Sequence, residues 1–268
     1  MNNVFKLPMA VALSAAAFTT VSVAQDWYGS GQIAWLDQSS STNTGVFNAD
    51  FTTGNSGGVR PTGTVIASDA PLNFRTRFDD GFSGALEVGR GLEDITGIKG
   101  LRGALEIVYT KSDVDGHSAV TADGVLLDGA DVSVLTGDPA TSGVTVGETL
   151  GAARGNIQNT AAFVNLYKDF GGFAGIKPYV GVGVGVTEAH VKYNPSDVNV
   201  VKDDAVKFAW QAKVGASRQL YGRIDIFAEA AYRASNDIDV RSNLLPARLD
   251  VENEQFQVGV GLRLRFGN

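Results

Sequence analysis

The sequence EQFQVGVGLRLRF, residues Glu254 to Phe266, decides the fold of this chain, because its apolar and polar residues alternate without a break. Every second side chain is apolar, and the residues between them are polar or glycine. A period of two is typical of a β-strand, in which successive side chains point to opposite faces. Strands of soluble proteins usually run about 5–6 residues, whereas a strand that crosses a membrane needs roughly 9–11. The segment is long enough to cross a membrane.

Phe256 and Phe266 stand at the two ends of this alternation, roughly 33 Å apart along an extended strand. With a tilt of about 40°, that distance corresponds to a height of roughly 25 Å, which matches the apolar band of an outer-membrane barrel. A long strand of a soluble β-sandwich would show the same alternation. The rest of the chain must therefore decide between these two folds.

Composition excludes several classes of protein. The 268 residues include no cysteine, so the chain has no disulfide framework and no Cys-ligated metal or redox centre. The net charge of -7 argues against a nucleic-acid partner. Residues Met1 to Ala24 form the only long apolar run, with Lys6 near its start and the small residues Ser22-Val23-Ala24 at its end. This pattern predicts a secretory signal peptide over residues 1–24 and a mature barrel over 25–268.

Further segments show the same alternation, and the connections between them are alternately long and short. Long loops on one side and short turns on the other are the plan of an up-and-down barrel whose N-terminus is periplasmic. Closing an even number of strands into a ring also removes exposed strand edges. The sequence thus predicts an all-β fold, an eight-stranded antiparallel up-and-down transmembrane β-barrel with short periplasmic turns and long extracellular loops. The additional predicted strands are residues 27–36, 78–90, 101–110, 157–169, 179–192, 205–218 and 223–233. The polar stretches 37–72, 111–155 and 235–253 between strands are predicted to be loops, although residues 124–135 could form a hairpin that extends above the membrane.

Charged residues occupy the face of each strand opposite the apolar one, so they are predicted to line the lumen. Eight strands enclose an interior only just wide enough for side chains, and an unpaired buried charge is costly. We therefore expect these charges to pair in a network that plugs the lumen, with glycines on the same faces making room for the arginines. A narrow pore for ions or small solutes is the alternative. The predicted network comprises Glu87, Arg102, Glu106, Lys207, Lys213, Arg223, Asp225, Glu229, Arg233, Arg263 and Arg265.

Aromatic residues near the ends of the predicted strands form a second set. In membrane barrels such residues lie at the two membrane–water interfaces, where an apolar ring with a polar edge is most stable. The predicted aromatic girdle comprises Trp27, Trp35, Tyr109, Tyr179, Trp210, Tyr232, Phe256 and Phe266.

Few residues are of the kind that carry catalysis or bind a metal. His117 and His190 are the only histidines, and both fall at or near predicted loops, where they are expected to be solvated. Ser118 is not a nucleophile by itself, because a base and an orienting third group are also needed. The segment Asp113-Val114-Asp115-Gly116 begins like a calcium loop but lacks its sixth-position glycine and closing glutamate. We predict no catalytic residue, no cofactor and no metal ligand, and leave open whether the acidic stretch 111–155 gathers divalent cations.

Several motifs resemble the small outer-membrane β-barrel proteins of Gram-negative bacteria, the OmpA-like and opacity-protein group. They are WYGSGQ at Trp27, GALEVGRG at Gly84, GALEIVY at Gly103, NLYKDF at Asn165 and KPYVGVGVGV at Lys177. The resemblance implies a place in the outer membrane, among outer-membrane lipid and lipopolysaccharide, and insertion by the barrel-assembly machinery. It also implies a structural or adhesion role through loops that meet a surface protein partner. Because some barrels modify lipid A, a lipid-modifying enzyme is a further alternative.

Overall fold

The computed structural model describes residues 27–52, 65–131, 143–151, 155–193, 201–241 and 247–266. The predicted signal peptide, residues 1–24, lies outside the described residues. Two short helices are described, α1 (Glu93–Thr96) and α2 (Val146–Gly151). The described strands are β1 (Trp27–Gln38), β2 (Ser41–Phe47), β3 (Phe51–Thr52), β4 (Val65–Ile66), β5 (Pro71–Phe78), β6 (Gly81–Gly91), β7 (Leu101–Ala122), β8 (Val125–Leu126), β9 (Gly155–Asp169), β10 (Ile176–Tyr193), β11 (Val201–Tyr221), β12 (Ile224–Arg241) and β13 (Ala247–Arg265).

Eight long strands close into a ring in the order β1, β6, β7, β9, β10, β11, β12 and β13. Each strand is antiparallel to both neighbours, and β1 closes the ring by pairing with β13 so that Ile33 lies opposite Val260. The predicted eight-stranded antiparallel barrel is confirmed. In the described part of the chain, no helix is long and apolar enough to cross a membrane.

The outward face of the lower part of the ring is apolar, and we call this part the transmembrane barrel. On β13 it extends from Phe256 to Leu264, and on β10 from Val180 to Val186. The alternate side chains of the same strands point into the lumen and are polar, charged or glycine. This is the pattern that a strand needs when one face meets lipid and the other is enclosed.

The ring strands continue well beyond the transmembrane barrel, through stretches predicted as loops. β7 runs on to Ala122, although residues 111–155 were expected to be a loop. β12 and β13 likewise extend through most of residues 235–253, another predicted loop. These predictions were wrong because they depended on an apolar outward face. Above the membrane the outward face of a strand can be polar. The strand then pairs with its neighbours although its sequence lacks the alternation of apolar and polar residues from which strands were predicted.

The predicted loop over residues 37–72 is also partly strand, and it completes this upper structure. β2 and β5 pair with each other and insert between the upper ends of β13 and β7. We call the upper structure the head; it comprises β2, β5, β8, α2 and the segment of β7 from Val114 to Ala122. Its interior is apolar. The buried core residues are Phe47, Ile66, Leu72, Val114, Val120, Ala122, Leu127, Ala130, Val146, Ile157, Ala189 and Val251.

α2 covers one side of this apolar interior, and its first turn is capped in both directions. The Glu148 carboxylate accepts hydrogen bonds from the Thr145 backbone N–H and hydroxyl, each 2.9 Å long. The Glu148 backbone N–H donates to Thr145 Oγ1 at 3.1 Å in return, which forms a capping box. These bonds lower the pKa of the Glu148 carboxyl. The cap directs the buried Val146 toward the head core.

Candidate functional site

The centre of the lumen holds a lysine between two carboxylates. Lys213 Nζ lies 2.7 Å from Glu106 Oε1 and 3.1 Å from Glu229 Oε1. The three side chains come from β11, β7 and β12, and each is at most 4% exposed. We call this group the central triad. Ions buried this deeply are tolerated only when they are paired and hydrogen-bonded, so each member of the triad depends on the others.

Neutral amides extend the central triad across the lumen to a second cation. Glu106 Oε2 accepts hydrogen bonds from Gln211 Nε2 at 2.6 Å and from Asn165 Nδ2 at 2.8 Å. Gln211 Oε1 in turn accepts from Arg233 Nε and Nη2, at 3.2 and 3.0 Å. Gln211 thus links Arg233 to Glu106. Gln211 and Asn165 were absent from the predicted network because that network comprised charged residues alone.

Glu87 is bound by tyrosines rather than by a cation. Tyr28 donates its hydroxyl hydrogen to Glu87 Oε1 at 2.9 Å, and the Tyr167 hydroxyl donates to Glu87 Oε2. Arg102 Nη1 donates to the Tyr28 hydroxyl at 2.7 Å. The same guanidinium makes two parallel hydrogen bonds to Asp169, of 2.7 and 2.9 Å, a geometry that suits arginine and carboxylate.

Aromatic rings surround two arginines at the periplasmic end of the lumen. The Arg102 guanidinium carbon lies 4.6 Å from the centre of the Tyr167 ring, and that of Arg263 lies 4.9 Å from the Tyr28 ring. Both arginines also lie over the ring of Tyr179. Cations stacked on ring faces are stabilised by the ring quadrupole, more strongly where water is excluded. We call this layer the aromatic floor; its rings belong to Tyr28, Tyr167, Tyr179 and Phe227.

Glycines on the lumen face make room for these rings and not, as predicted, for arginines. A Cβ on Gly181 would lie 2.4 Å from Tyr167 Cδ1, and one on Gly261 would lie 2.3 Å from Phe227 Cζ. Gly215 stands in the same relation to Tyr179, with a separation of 2.5 Å. Each ring lies flat over a glycine of a neighbouring strand, so a larger residue would push it out of the layer.

Tyr179 is the one predicted girdle residue that the structure places inside the barrel, so its assignment to the girdle was wrong. Its ring is fully buried, and its hydroxyl donates to Glu229 Oε2 at 3.0 Å. It shares a strand face with Gly181, and that face points into the lumen. Tyr232, half-buried, packs its ring 5.5 Å from that of Trp210, and Phe266 is also half-buried. The remaining predicted girdle residues are 38–47% exposed on the outside: Trp27, Trp35, Tyr109, Trp210 and Phe256.

The other predicted lumen charges do not join the central triad. Arg265 Nη2 lies 3.2 Å from Asp225 Oδ1 at the periplasmic mouth and forms a separate ion pair. Arg223 is exposed in the turn between β11 and β12, so its prediction as a lumen residue was wrong. Lys207 lies half-buried nearer the head. In the sequence, Arg223 continues the every-second-residue pattern of the inward side chains of β12, although it lies in the turn before that strand. This explains why it was predicted to face the lumen.

A layer of neutral amides and hydroxyls separates the charged lumen from the head. Gln255 Nε2 donates to Gln38 Oε1 at 2.9 Å, and Asn253 Nδ2 donates to Asn159 Oδ1 at 3.2 Å. Thr110 Oγ1 accepts from Asn159 Nδ2 at 3.2 Å. All five side chains are buried. From the periplasmic side upward, the interior thus changes from aromatic rings with arginines to ion pairs, then to a small apolar cluster around Val108, Ala161 and Phe163, then to neutral polar groups, and finally to the apolar head core.

His117 lies buried in the head, so its prediction as a solvated loop residue was wrong. Its Nδ1 lies 2.7 Å from Thr76 Oγ1, which also accepts a 2.5 Å hydrogen bond from Asn43 Nδ2. Phe74 packs edge-on against the imidazole at 5.1 Å. Burial lowers the pKa of His117 to about 4, so the ring is neutral at pH 7. His190 Nε2 lies 4.0 Å from Glu188 Oε1 on the outer face of β10.

The segment that begins like a calcium loop is part of β7, and its acids lie near basic side chains. Arg77 Nε lies 3.2 Å from Asp115 Oδ2, and Lys111 Nζ lies 3.5 Å from Asp113 Oδ1. Among the residues that the structure describes, no three His, Asp or Glu side chains lie close enough together to hold a metal ion.

Comparisons with known proteins find one family and several solved structures. A family model described as surface antigen matches residues 38–254. Among solved structures, Neisserial surface protein A (NspA) is 13% identical, with 91% of this chain and 99% of that chain covered and a TM-score of 0.45. The outer membrane protein OprG from Pseudomonas aeruginosa is 12% identical, with 91% and 98% covered and a TM-score of 0.45. The outer membrane protease OmpT from Escherichia coli is 7% identical, with 93% and 99% covered and a TM-score of 0.45. No curated protein matches the chain.

Proposed function

The chain belongs to the surface antigen family, and we propose that it is a non-conducting surface protein whose barrel anchors an extracellular head that binds partners. It is an outer-membrane β-barrel protein of a Gram-negative bacterium. The two parts of the chain have different roles. The transmembrane barrel supplies a rigid, closed anchor, and the head supplies an ordered surface for recognition.

The filled lumen is the observation that supports a non-conducting barrel. The central triad and the amides around it come from four different strands and meet at hydrogen-bond distance across the barrel. The aromatic floor lies below them, and the neutral polar layer lies above. Moving an ion past the central triad would separate buried, paired charges, which is costly in a low-dielectric interior. This arrangement favours a plug over a pore.

The observation that favours recognition is the ordered core of the head. A loop that only links two strands needs no apolar interior. Phe47, at the end of β2, and Leu127, directly after β8, are nevertheless fully buried. A packed interior holds the outer residues in fixed positions, and a rigid surface loses less conformational entropy on binding than a mobile loop. Function on a barrel of this kind resides in such surface elements rather than in the fold itself.

The proposal assigns no catalytic role. A lipid-modifying enzyme would need its reactive groups near the outer membrane surface, where a lipid can reach them. Thr76 and His117 are instead buried in the head, at 4% and 9% exposure.

Conductance of the refolded protein in planar bilayers tests the closed barrel. We expect a folded but silent protein, with heat-modifiable gel mobility as the folding control and a porin as the positive control for insertion. A variant with Glu106→Ala, Lys213→Ala and Glu229→Ala removes the central triad and is expected to show more frequent openings than the unmodified protein. Steady openings of the unmodified protein would contradict the proposal and make it a pore.

Adhesion of bacteria that display the protein tests the head. Surfaces coated with heparin, mucin or fibronectin serve as probes, and cells carrying an empty vector set the background. We expect retention on at least one surface, and loss of that retention when Phe47→Ala and Leu127→Ala loosen the head core. Val182→Ala, on the lipid face, is the matched control and should leave retention unchanged. Retention that persists in the head variant would contradict a role for the head.

A further inference from the structure

The short turns at the periplasmic end carry large apolar side chains that face outward. Ile95 beside the first turn is 67% exposed, Phe173 in the second is 87% exposed, and Tyr221 at the third is 82% exposed. Leu220 adds a fourth such side chain at 64% exposure. Turns in water are normally polar, and apolar residues clustered at one end of a molecule usually mark a surface that meets a partner or a membrane.

Basic side chains accompany these apolar residues at the same end. Arg90 and Lys168 lie on the outward faces of β6 and β9, and Lys99 is exposed in the turn after α1. Arg218 and Arg223 are exposed around the turn between β11 and β12. The chain as a whole has a charge of -7, so a basic rim is a local departure from its acidic character. Lys and Arg near a membrane surface favour anionic lipids over neutral ones.

A groove on the outside of the barrel begins at this basic rim. Its volume is about 540 Å³, and its walls include Trp27, Leu105, Val164 and Val182, with Arg90 at its rim. The groove is open because Gly103 has no side chain; a Cβ there would lie 3.1 Å from Leu92 Cδ1. The volume falls in the range of roughly 300–1,000 Å³ that is typical of ligand-binding clefts.

We propose that this rim and groove bind an anionic phospholipid of the inner leaflet. The groove lies on the apolar outward face that meets lipid, so an acyl chain suits it better than a protein segment. The phosphate would lie among Arg90, Lys99 and Lys168, with Trp27 at the interface between acyl chain and headgroup. Arg90 now bonds to Asp94 at 2.7 Å, but the Asp94 side chain is half exposed, and a phosphate can compete for the guanidinium.

Tryptophan quenching by brominated lipids tests the proposal. The chain has three tryptophans, and Trp27 alone lies at the periplasmic end, so Trp35→Phe with Trp210→Phe leaves a reporter at the groove. The protein is refolded into vesicles of phosphatidylcholine and phosphatidylglycerol in which one or the other lipid is brominated. We expect phosphatidylglycerol to be enriched about three- to fivefold around Trp27, as the basic residues attract anionic headgroups. A variant that retains only Trp35, at the opposite rim, should show a ratio near one.

Substitutions then separate a specific site from general attraction to the membrane. Arg90→Gln, Lys99→Gln and Lys168→Gln together should bring the ratio at Trp27 to about one. Lys192→Gln with Arg248→Gln, at the head end, is the matched control with the same kind of charge change and should leave the ratio unchanged. Gel mobility verifies folding of each variant. A ratio of one at Trp27 in the otherwise unmodified chain, or a ratio that survives the triple substitution, would overturn the proposal.

Discussion

The transmembrane barrel and the head are built from the same strands but are packed in opposite ways. In the barrel, Lys213 and Glu106 are inside and Val260 is outside; in the head, Phe47 and Leu127 are inside, and polar residues such as Thr42 and Arg75 are among those outside. β7 passes through both regions, with Glu106 facing the lumen below and Val114 facing the head core above. The strand is continuous, so the difference arises from the solvent around it and not from the backbone.

This difference shows which kind of interaction stabilises each region. Outside the barrel the solvent is hydrocarbon, so an apolar outward face is required and the enclosed face must satisfy its polar groups internally. Outside the head the solvent is water, so burial of apolar surface again stabilises the fold, by roughly 25 cal/mol per Å². Substitutions of similar chemistry are therefore expected to change stability by different amounts in the two regions.

Lys213→Met should cause the largest loss of stability, because it leaves Glu106 and Glu229 facing each other without a cation. Removing one partner of a buried ion pair costs about 3–5 kcal/mol. The free energy of unfolding in urea, measured on protein folded into lipid vesicles, checks this. Adding Glu106→Gln and Glu229→Gln to the same variant should restore most of the loss. If the single variant is as stable as the unmodified protein, the central triad does not stabilise the barrel.

Phe47→Ala should cost about 3–5 kcal/mol within the head, because it opens a cavity around a fully buried ring. The loss is expected to be local, since the ion pairs of the transmembrane barrel do not involve this core. Hydrogen exchange read by mass spectrometry should show faster exchange in β2 and β5 and unchanged exchange in β10 and β11. Val46→Ala, exposed on the same strand, is the control and should change stability by no more than about 0.5 kcal/mol. Faster exchange throughout the barrel would mean that the two regions unfold together.

One substitution on the outside of each region tests most directly whether lipid surrounds the barrel and water surrounds the head. Val260→Arg should cost about 2–4 kcal/mol, because it places a charge on the lipid face. Val46→Arg, on the outside of the head, should change stability by no more than about 0.5 kcal/mol. Both are measured by urea unfolding in the same vesicles. Equal costs at the two positions would show that the boundary between barrel and head lies elsewhere.

Acid should weaken the head by on the order of 2 kcal/mol through His117. The pKa of this histidine is lowered to about 4 in the fold, against roughly 6.5 in an unfolded chain, so the unfolded state binds more protons between these values. Stability of the head is thus complete above about pH 6.5 and falls as the pH is lowered toward 4. Hydrogen exchange of β5 at pH 7 and pH 4.5, corrected for the intrinsic rate, measures the loss. His117→Gln should reduce this pH dependence; an unchanged dependence would assign it to other groups.

The barrel could be predicted from the sequence because lipid imposes a strict alternation on every strand that crosses it. The same alternation placed Glu106, Lys213 and Glu229 on inward faces before their distances were known. It did not reveal which of them would meet, since β7, β11 and β12 approach one another only across the closed ring. It also did not reveal the neutral partners, because Gln211 and Asn165 carry no charge to mark them.

The sequence by itself determined the number of strands, their inside and outside faces and the membrane they cross, because these follow from local alternation and connection length. Only the tertiary structure decided that β2, β5 and residues 114–122 of β7 build a head with an apolar core above the barrel. It also decided that Tyr179 points into the lumen and that His117 is buried. These outcomes depend on which residues face one another across the ring. The alternation within one segment does not show which distant segment it will contact.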